Sequence, residues 1–95
     1  MVLGKGEGFK IWYNQRRKHL DLVVEEITAK DSCISLKVVA GDLEERYRID
    51  RGERIRLNLY PIFIWNNGVM DGRNERVVDL ILEAPKDFQW KKTYR

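Results

Sequence analysis

The chain has 95 residues, 43% of them hydrophobic and 35% charged, a balance that excludes a disordered polypeptide and fits one small domain. A net charge of +3 and a pI near 9.1 lean towards an anionic partner. The longest apolar runs, such as Ile62-Phe63-Ile64-Trp65, are too short to cross a membrane. The stretch Met1-Val2-Leu3-Gly4-Lys5-Gly6 is unlike a secretory signal, and the single cysteine, Cys33, excludes an intrachain disulfide. A soluble protein of the reducing cytoplasm is therefore expected.

In chain order, Gly4-x-Gly6-x-Gly8 lacks the preceding strand and following helix of a phosphate-binding loop and reads as a flexible end or turn. Arg16-Arg17-Lys18-His19, the densest basic cluster, falls in a loop before Leu20. Leu20, Leu22 and Val24 alternate with Asp21, Val23 and Glu25, the signature of a strand with one buried face. Lys30-Asp31-Ser32 supplies a turn, and Ile34-Ser35-Leu36-Lys37-Val38-Val39-Ala40 a second strand closed by Gly41-Asp42. Residues 42–56 are charged enough for a helix, but Tyr47, Ile49, Ile55 and Leu57 favour period two. Ile55, Leu57 and Leu59 alternate in turn, and Pro61 marks an edge, bulge or strand end. Asn66-Asn67-Gly68 and Asp71-Gly72-Arg73-Asn74 read as a long polar connection before the strand Val78-Asp79-Leu80-Ile81-Leu82-Glu83-Ala84. The last segment, Phe88 to Arg95, interleaves aromatic and basic residues. The expected fold is all-β and antiparallel.

The pattern repeats within the chain. Ile34–Ala40 superposes on Val78–Ala84 with every inward apolar position coincident, and each run ends at alanine before a turn former, Gly41 or Pro85. Upstream, Leu20–Val24 is set over Ile55–Leu59, which puts the length excess of the second copy into the Asn66–Asn74 connection; downstream, Tyr47-Arg48 is set over Lys91-Lys92. One compact domain, residues 1–95, is expected, with repeat halves at about residues 6–50 and 47–95.

No catalytic or metal site is expected, and no cofactor. His19 is the sole histidine, and Cys33 beside Ile34 reads as a small packed side chain. Glu25-Glu26 and Glu44-Glu45 are adjacent, so on strands their members point to opposite faces and make poor acid–base pairs. The chain is not expected to be an enzyme.

The run Arg76-Val77-Val78-Asp79-Leu80-Ile81-Leu82-Glu83-Ala84-Pro85-Lys86-Asp87-Phe88-Gln89-Trp90-Lys91-Lys92 resembles the carbon storage regulator family (CsrA/RsmA), small bacterial RNA-binding translational regulators. Ala84-Pro85-Lys86-Asp87 matches that family's Ala-Pro-Lys-acidic turn, and Lys91-Lys92 stands where His-Arg is usual. Gly6-Glu7-Gly8-Phe9-Lys10-Ile11 is similar to its Gly-Glu-x-Leu-x-Ile stretch. Family members are about half this length and form intertwined homodimers, so the resemblance implies two copies fused into an intertwined pseudo-dimer, monomeric as a chain. It also implies binding of GGA elements in RNA loops and steric blocking of translation. The pair of arginines that precedes Gly-Glu in the family is missing; only Lys5 stands there, while Arg48 is set where a family arginine falls.

RNA binding is accordingly expected from Lys5, Arg48, Lys86, Lys91, Lys92 and Arg95, with a second basic patch at Arg16, Arg17 and Lys18. Trp90 or Tyr94 would stack on a base, against the reading of Trp90 as an inward core residue. The competing expectation is a protein-interaction module, for instance a virus-encoded inhibitor of a host protein, that kept the β scaffold and lost RNA binding. It would meet an acidic partner through Trp65, the Asn66–Arg73 segment and the Arg16–His19 cluster.

Overall fold

Alternating apolar residues bury one face of each long strand, and the computed structural model, which describes residues 1–58 and 60–93, joins those faces into one core. The described residues form strands β1 (Val2–Gly4), β2 (Gly8–Tyr13), β3 (Lys18–Thr28), β4 (Cys33–Ala40), β5 (Leu43–Ile49), β6 (Arg54–Arg56), β7 (Phe63–Asp71), β8 (Arg76–Glu83) and β9 (Gln89–Thr93). They build two antiparallel sheets, one ordered β5-β4-β3-β2-β9 and the other β1-β8-β7-β6. Phe9, Ile11, Leu20, Leu22, Leu36 and Ile49 of the first meet Leu3, Ile64, Val78 and Leu80 of the second, all fully buried or nearly so. Each such side chain contributes about 1.5–3 kcal/mol by leaving water. Among the described residues no helix is long and apolar enough to cross a membrane.

Each sheet borrows a strand from the far end of the chain. β1 pairs with β8, Leu3 opposite Val78, and β9 pairs with β2, Trp90 opposite Ile11. Met1 seals the first exchange, its amino group donating to the Leu80 carbonyl at 2.6 Å.

The hydrogen bonding repeats in detail. Leu36 lies opposite Val24 just before a bulge in β3, and Leu80 lies opposite Asn66 just before a bulge in β7. Gly6 N–H donates to the Val24 carbonyl at 2.7 Å while Val24 N–H donates to Glu7 at 2.8 Å; Gly52 donates to Asn66 at 2.7 Å while Asn66 donates to Glu53 at 3.1 Å. Glu7 Oε1 accepts from Gly4 N–H at 2.7 Å, and Glu53 Oε1 accepts from Asp50 N–H at 2.9 Å. Gly6 and Gly52 take φ of 85° and 78°, the left-handed region glycine enters without steric cost. Lys5-Gly6-Glu7 and Arg51-Gly52-Glu53 therefore hold the same place in the two hairpins. Likewise Ile49 opposite Ile34 matches Leu3 opposite Val78.

These pairings correct two readings of the sequence. The polar stretch from Asn66 is not a loop: β7 runs from Phe63 to Asp71, and only the short turn before Arg76 connects it to β8. Nor does Leu20–Val24 correspond to the segment starting at Ile55. Ile55 lies opposite Ile64 as Phe9 lies opposite Leu22, so β6 matches β2, and β3 matches β7. Arg48, opposite Ser35, corresponds to Val2 opposite Asp79 rather than to Lys92. Of the glycines read as a flexible end or turn, Gly6 is in a turn, but Gly8 opens β2 at a buried position, where a Cβ would run onto the Leu22 carbonyl oxygen.

Candidate nucleic-acid interface

The expected RNA-binding residues divide into three groups according to the strand that carries them. Lys91 lies on the outward face of β9 opposite Lys10 of β2, which lies opposite Asp21 of β3. At the end of the same strands, Trp12 stands between Gln89 and His19, and the turn from β2 to β3 follows Tyr13. Asn14, Gln15 and Arg16 occupy that turn with φ of 53°, 56° and 65°, three consecutive left-handed residues without a glycine. Such a conformation costs roughly 1–2 kcal/mol per residue and persists because the strands on either side impose it. The turn directs the Arg16 guanidinium over the Trp12 ring, 5.0 Å from its centroid. Phe88 stacks on Tyr13 at 5.5 Å and 11°, which brings the Pro85–Phe88 turn and its Lys86 to the same end of the sheet. Lys10, Lys86, Lys91, Arg16, Arg17 and Lys18 thus share one end with the acids Asp21 and Asp87, and Asp42 follows Gly41 in the adjoining turn, which lines one depression with Arg17 and Lys18. Asp21 lies 3.8 Å from Lys10 and 3.7 Å from His19.

Lys92 belongs elsewhere. Opposite Phe9, it leans into the seam between β9 and β1, donating to the Val2 carbonyl at 3.0 Å and lying 4.0 Å from Glu7. Trp90 lies on the core side of β9, edge-on to Phe9 at 6.4 Å, yet 49% exposed because β9 is the outermost strand. It is neither a closed core residue nor a free one. Tyr94 and Arg95 lie outside the described residues.

Arg48 and Lys5 are separate from this end. Arg48 is on β5, the opposite edge of the five-stranded sheet, 3.4 Å from Asp50. Lys5, in the turn after β1, pairs with Glu26 at 3.1 Å. The β5 side of the sheet is laced with opposite charges: Arg46 meets Glu25 at 2.9 Å and Glu44 at 3.4 Å, and Lys37 meets Glu44 at 3.5 Å. Cations so paired have little field left for a polyanion. Cys33 opens β4 beneath Arg48; burial, and next the Asp50 carboxylate, push its thiol above the ordinary pKa of 9.0, with Arg48 opposing. A thiol so held is a poor nucleophile.

Sequence reasoning missed Lys10 and Trp12, which become visible only once β2 is paired with β9. It also missed the row Arg51, Arg54 and Arg56, although the repeated order basic-Gly-Glu at Lys5-Gly6-Glu7 and Arg51-Gly52-Glu53 would have located it. No family model, curated protein or solved structure matches the chain.

Proposed function

We propose that the chain is an RNA-binding post-transcriptional regulator, a single-chain counterpart of the two-chain carbon storage regulators it resembles. It would take loop RNA of the GGA type on the basic end of the five-stranded sheet and sterically block translation. The observation that carries this reading is the set of exposed cations, Arg17, Lys18, Lys86 and Lys91, for which no carboxylate of the described residues lies within ion-pairing distance. They stand at the end of the sheet where Arg16 lies on Trp12, so charge for phosphates stands beside a face for a base, and Trp90 offers its half-exposed ring on the other side of β9. The free edge of β9 adds backbone donors and acceptors that can read the edges of unstacked bases. The exchange of β1 and β9 between the sheets supports the fused-dimer reading, since one chain then supplies what two intertwined chains would. The regulator is thus read as a cytoplasmic monomer needing neither metal nor cofactor.

Fluorescence anisotropy of a labelled RNA hairpin with GGA in its loop, against a scrambled loop, tests this at two salt concentrations. Tighter binding of the GGA hairpin, weakened roughly tenfold by pairing Arg17→Ala with Lys91→Ala, is the expected result. Equal, salt-labile binding of both hairpins would reduce the interaction to bulk charge attraction and defeat the proposal.

A further inference from the structure

The two sheets share a scaffold, and their outward faces differ at corresponding positions. In the five-stranded sheet one row across the hairpin reads Gly8, Val23, Lys37 and the next reads Lys10, Asp21, Val39. In the four-stranded sheet the same rows read Arg54, Trp65, Ile81 and Arg56, Phe63, Glu83. The fold needs no tryptophan or arginine at these places, since glycine and valine serve in the other hairpin. Trp65 is nonetheless 40% exposed at the centre of the sheet.

The local chemistry is specific. Arg54 lies over the Phe63 ring, its guanidinium carbon 3.9 Å from the centroid, and Glu83 holds it there at 2.9 Å. Arg56, exposed, lies opposite Phe63 in the strand register. Beside Trp65, Gly52, Asn67 and Ile81 line a depression of about 180 Å³ formed at the β7 bulge. Arg51 reaches towards Gly68 at its margin, 3.9 Å from where a Cβ would stand. Asn67 Nδ2 donates to Asp79 at 2.9 Å, leaving the Asn67 carbonyl oxygen as an acceptor beside the ring.

We infer that this outward face of β6 and β7 is a second single-stranded nucleic-acid site, in which one base stacks on Trp65 and the next on the Arg54–Phe63 pair. Arg51 and Arg56 take the phosphates. Aromatic faces and guanidinium planes are the usual platforms for unstacked bases, and a row of arginines alongside supplies the backbone charge. An apolar protein-docking face is less well supported. Of the other exposed apolar residues of this sheet only Ile81 adjoins Trp65; Val2 and Met70 are cut off from it by the polar Asn67–Asp79 pair. The inference takes its ligand class from the RNA-binding reading but rests on a different surface, the outward face of the other sheet.

Photocrosslinking with a single-stranded RNA of about a dozen nucleotides, lacking GGA and carrying 5-iodouridine, tests it on the full chain. The expected crosslink is at Trp65. Trp65→Ala should weaken binding of the same RNA about tenfold or more, Trp65→Phe should restore most of it, and Arg56→Ala should lower the logarithmic salt slope by about 0.7. Far-ultraviolet circular dichroism confirms that each variant is folded. Crosslinks confined to Trp12 or Trp90, with binding unchanged in Trp65→Ala, overturn the inference and leave the β9 site intact. Loss in Trp65→Ala without loss in Arg17→Ala/Lys91→Ala upholds this site, and the same pair of variants read against the GGA hairpin decides the other. No binding of either RNA at low salt overturns both, and the face would then be a protein contact.

Discussion

Asn66 shows how much one side chain can decide. It is fully buried, the one polar residue in the core of the described chain. Its Nδ2 donates to the Ser32 carbonyl at 2.8 Å and the Ile49 carbonyl at 2.9 Å, and its Oδ1 accepts from Gly68 N–H at 2.9 Å. One amide thus fastens the β3–β4 turn, the end of β5 and the β7 bulge. Val24 holds the equivalent place in the other hairpin, so Asn66→Val keeps the shape while leaving two acceptors and a donor unpaired. We expect it to destabilise the protein by about 2 kcal/mol or more; an unchanged urea midpoint would show the amide to be dispensable. The phenols make a second prediction. Burial, with Tyr13 next, pushes Tyr60 from 10.0 up to about 12, and burial, with its 2.5 Å hydrogen bond to Glu45 next, raises Tyr47. An acid whose pKa rises on folding holds its proton more tightly in the folded state. Its contribution is therefore complete below the unfolded pKa and is lost as pH climbs through the folded one. The urea midpoint should fall between pH 10 and about 12, the loss beginning near pH 9 as Cys33 ionises in the unfolded chain. Tyr60→Phe should fall less steeply over that range, and an identical slope would count against burial of this phenol.

At the level of strands, legibility followed period. β3 up to its bulge, β4 and β8 were plain because one face of each alternates against the core, and the charged segment before Ile49 proved to be strand β5, as its period of two predicts. β7 was missed because Asn66-Asn67-Gly68 has turn composition, whereas here a bulge places Asn66 inward and lets Gly68 take a φ of 132°. β1, three residues long, carries too little pattern to register, and the strand expected from Ile55 onward is the short β6; both exist because a neighbouring strand offers its edge. The basic residues were visible, but their division was not. Composition gives Arg48 and Lys91 the same charge, but Arg48 meets Asp50 two residues on, and strand pairing gives Lys91 a basic neighbour in Lys10. The repeat was legible at Ile34–Ala40 and Val78–Ala84, where β4 and β8 do correspond. Its upstream register was misplaced because amphipathic strands superpose in many ways, whereas the Gly-Glu pairs admit one.

For the whole molecule the exchange of end strands sets how the chain must fold. β1 and β9 find their partners only across most of the sequence, so each sheet is complete only when its strand from the far end has arrived. Contacts so distant make folding slow relative to a local hairpin protein, because closure entropy is spent before burial returns it. A cut between Asp50 and Arg51 tests the interdependence, since it falls in the turn between β5 and β6 and breaks no strand. The fragment 1–50 keeps β2 to β5 but leaves the β2 edge without β9, Phe9 without Trp90, and β1 without β8. The fragment 51–95 keeps β6 to β8, a three-stranded sheet whose inward residues Ile64, Val78 and Leu80 have nothing to face. Each alone should lack a cooperative unfolding transition or self-associate by exchanging strands. An equimolar mixture should regain the circular dichroism of the intact chain, with a midpoint that rises with concentration as a two-chain complex requires. If either fragment instead unfolds cooperatively as a monomer, with a midpoint near that of the intact chain, the strand exchange is not what holds the two sheets together.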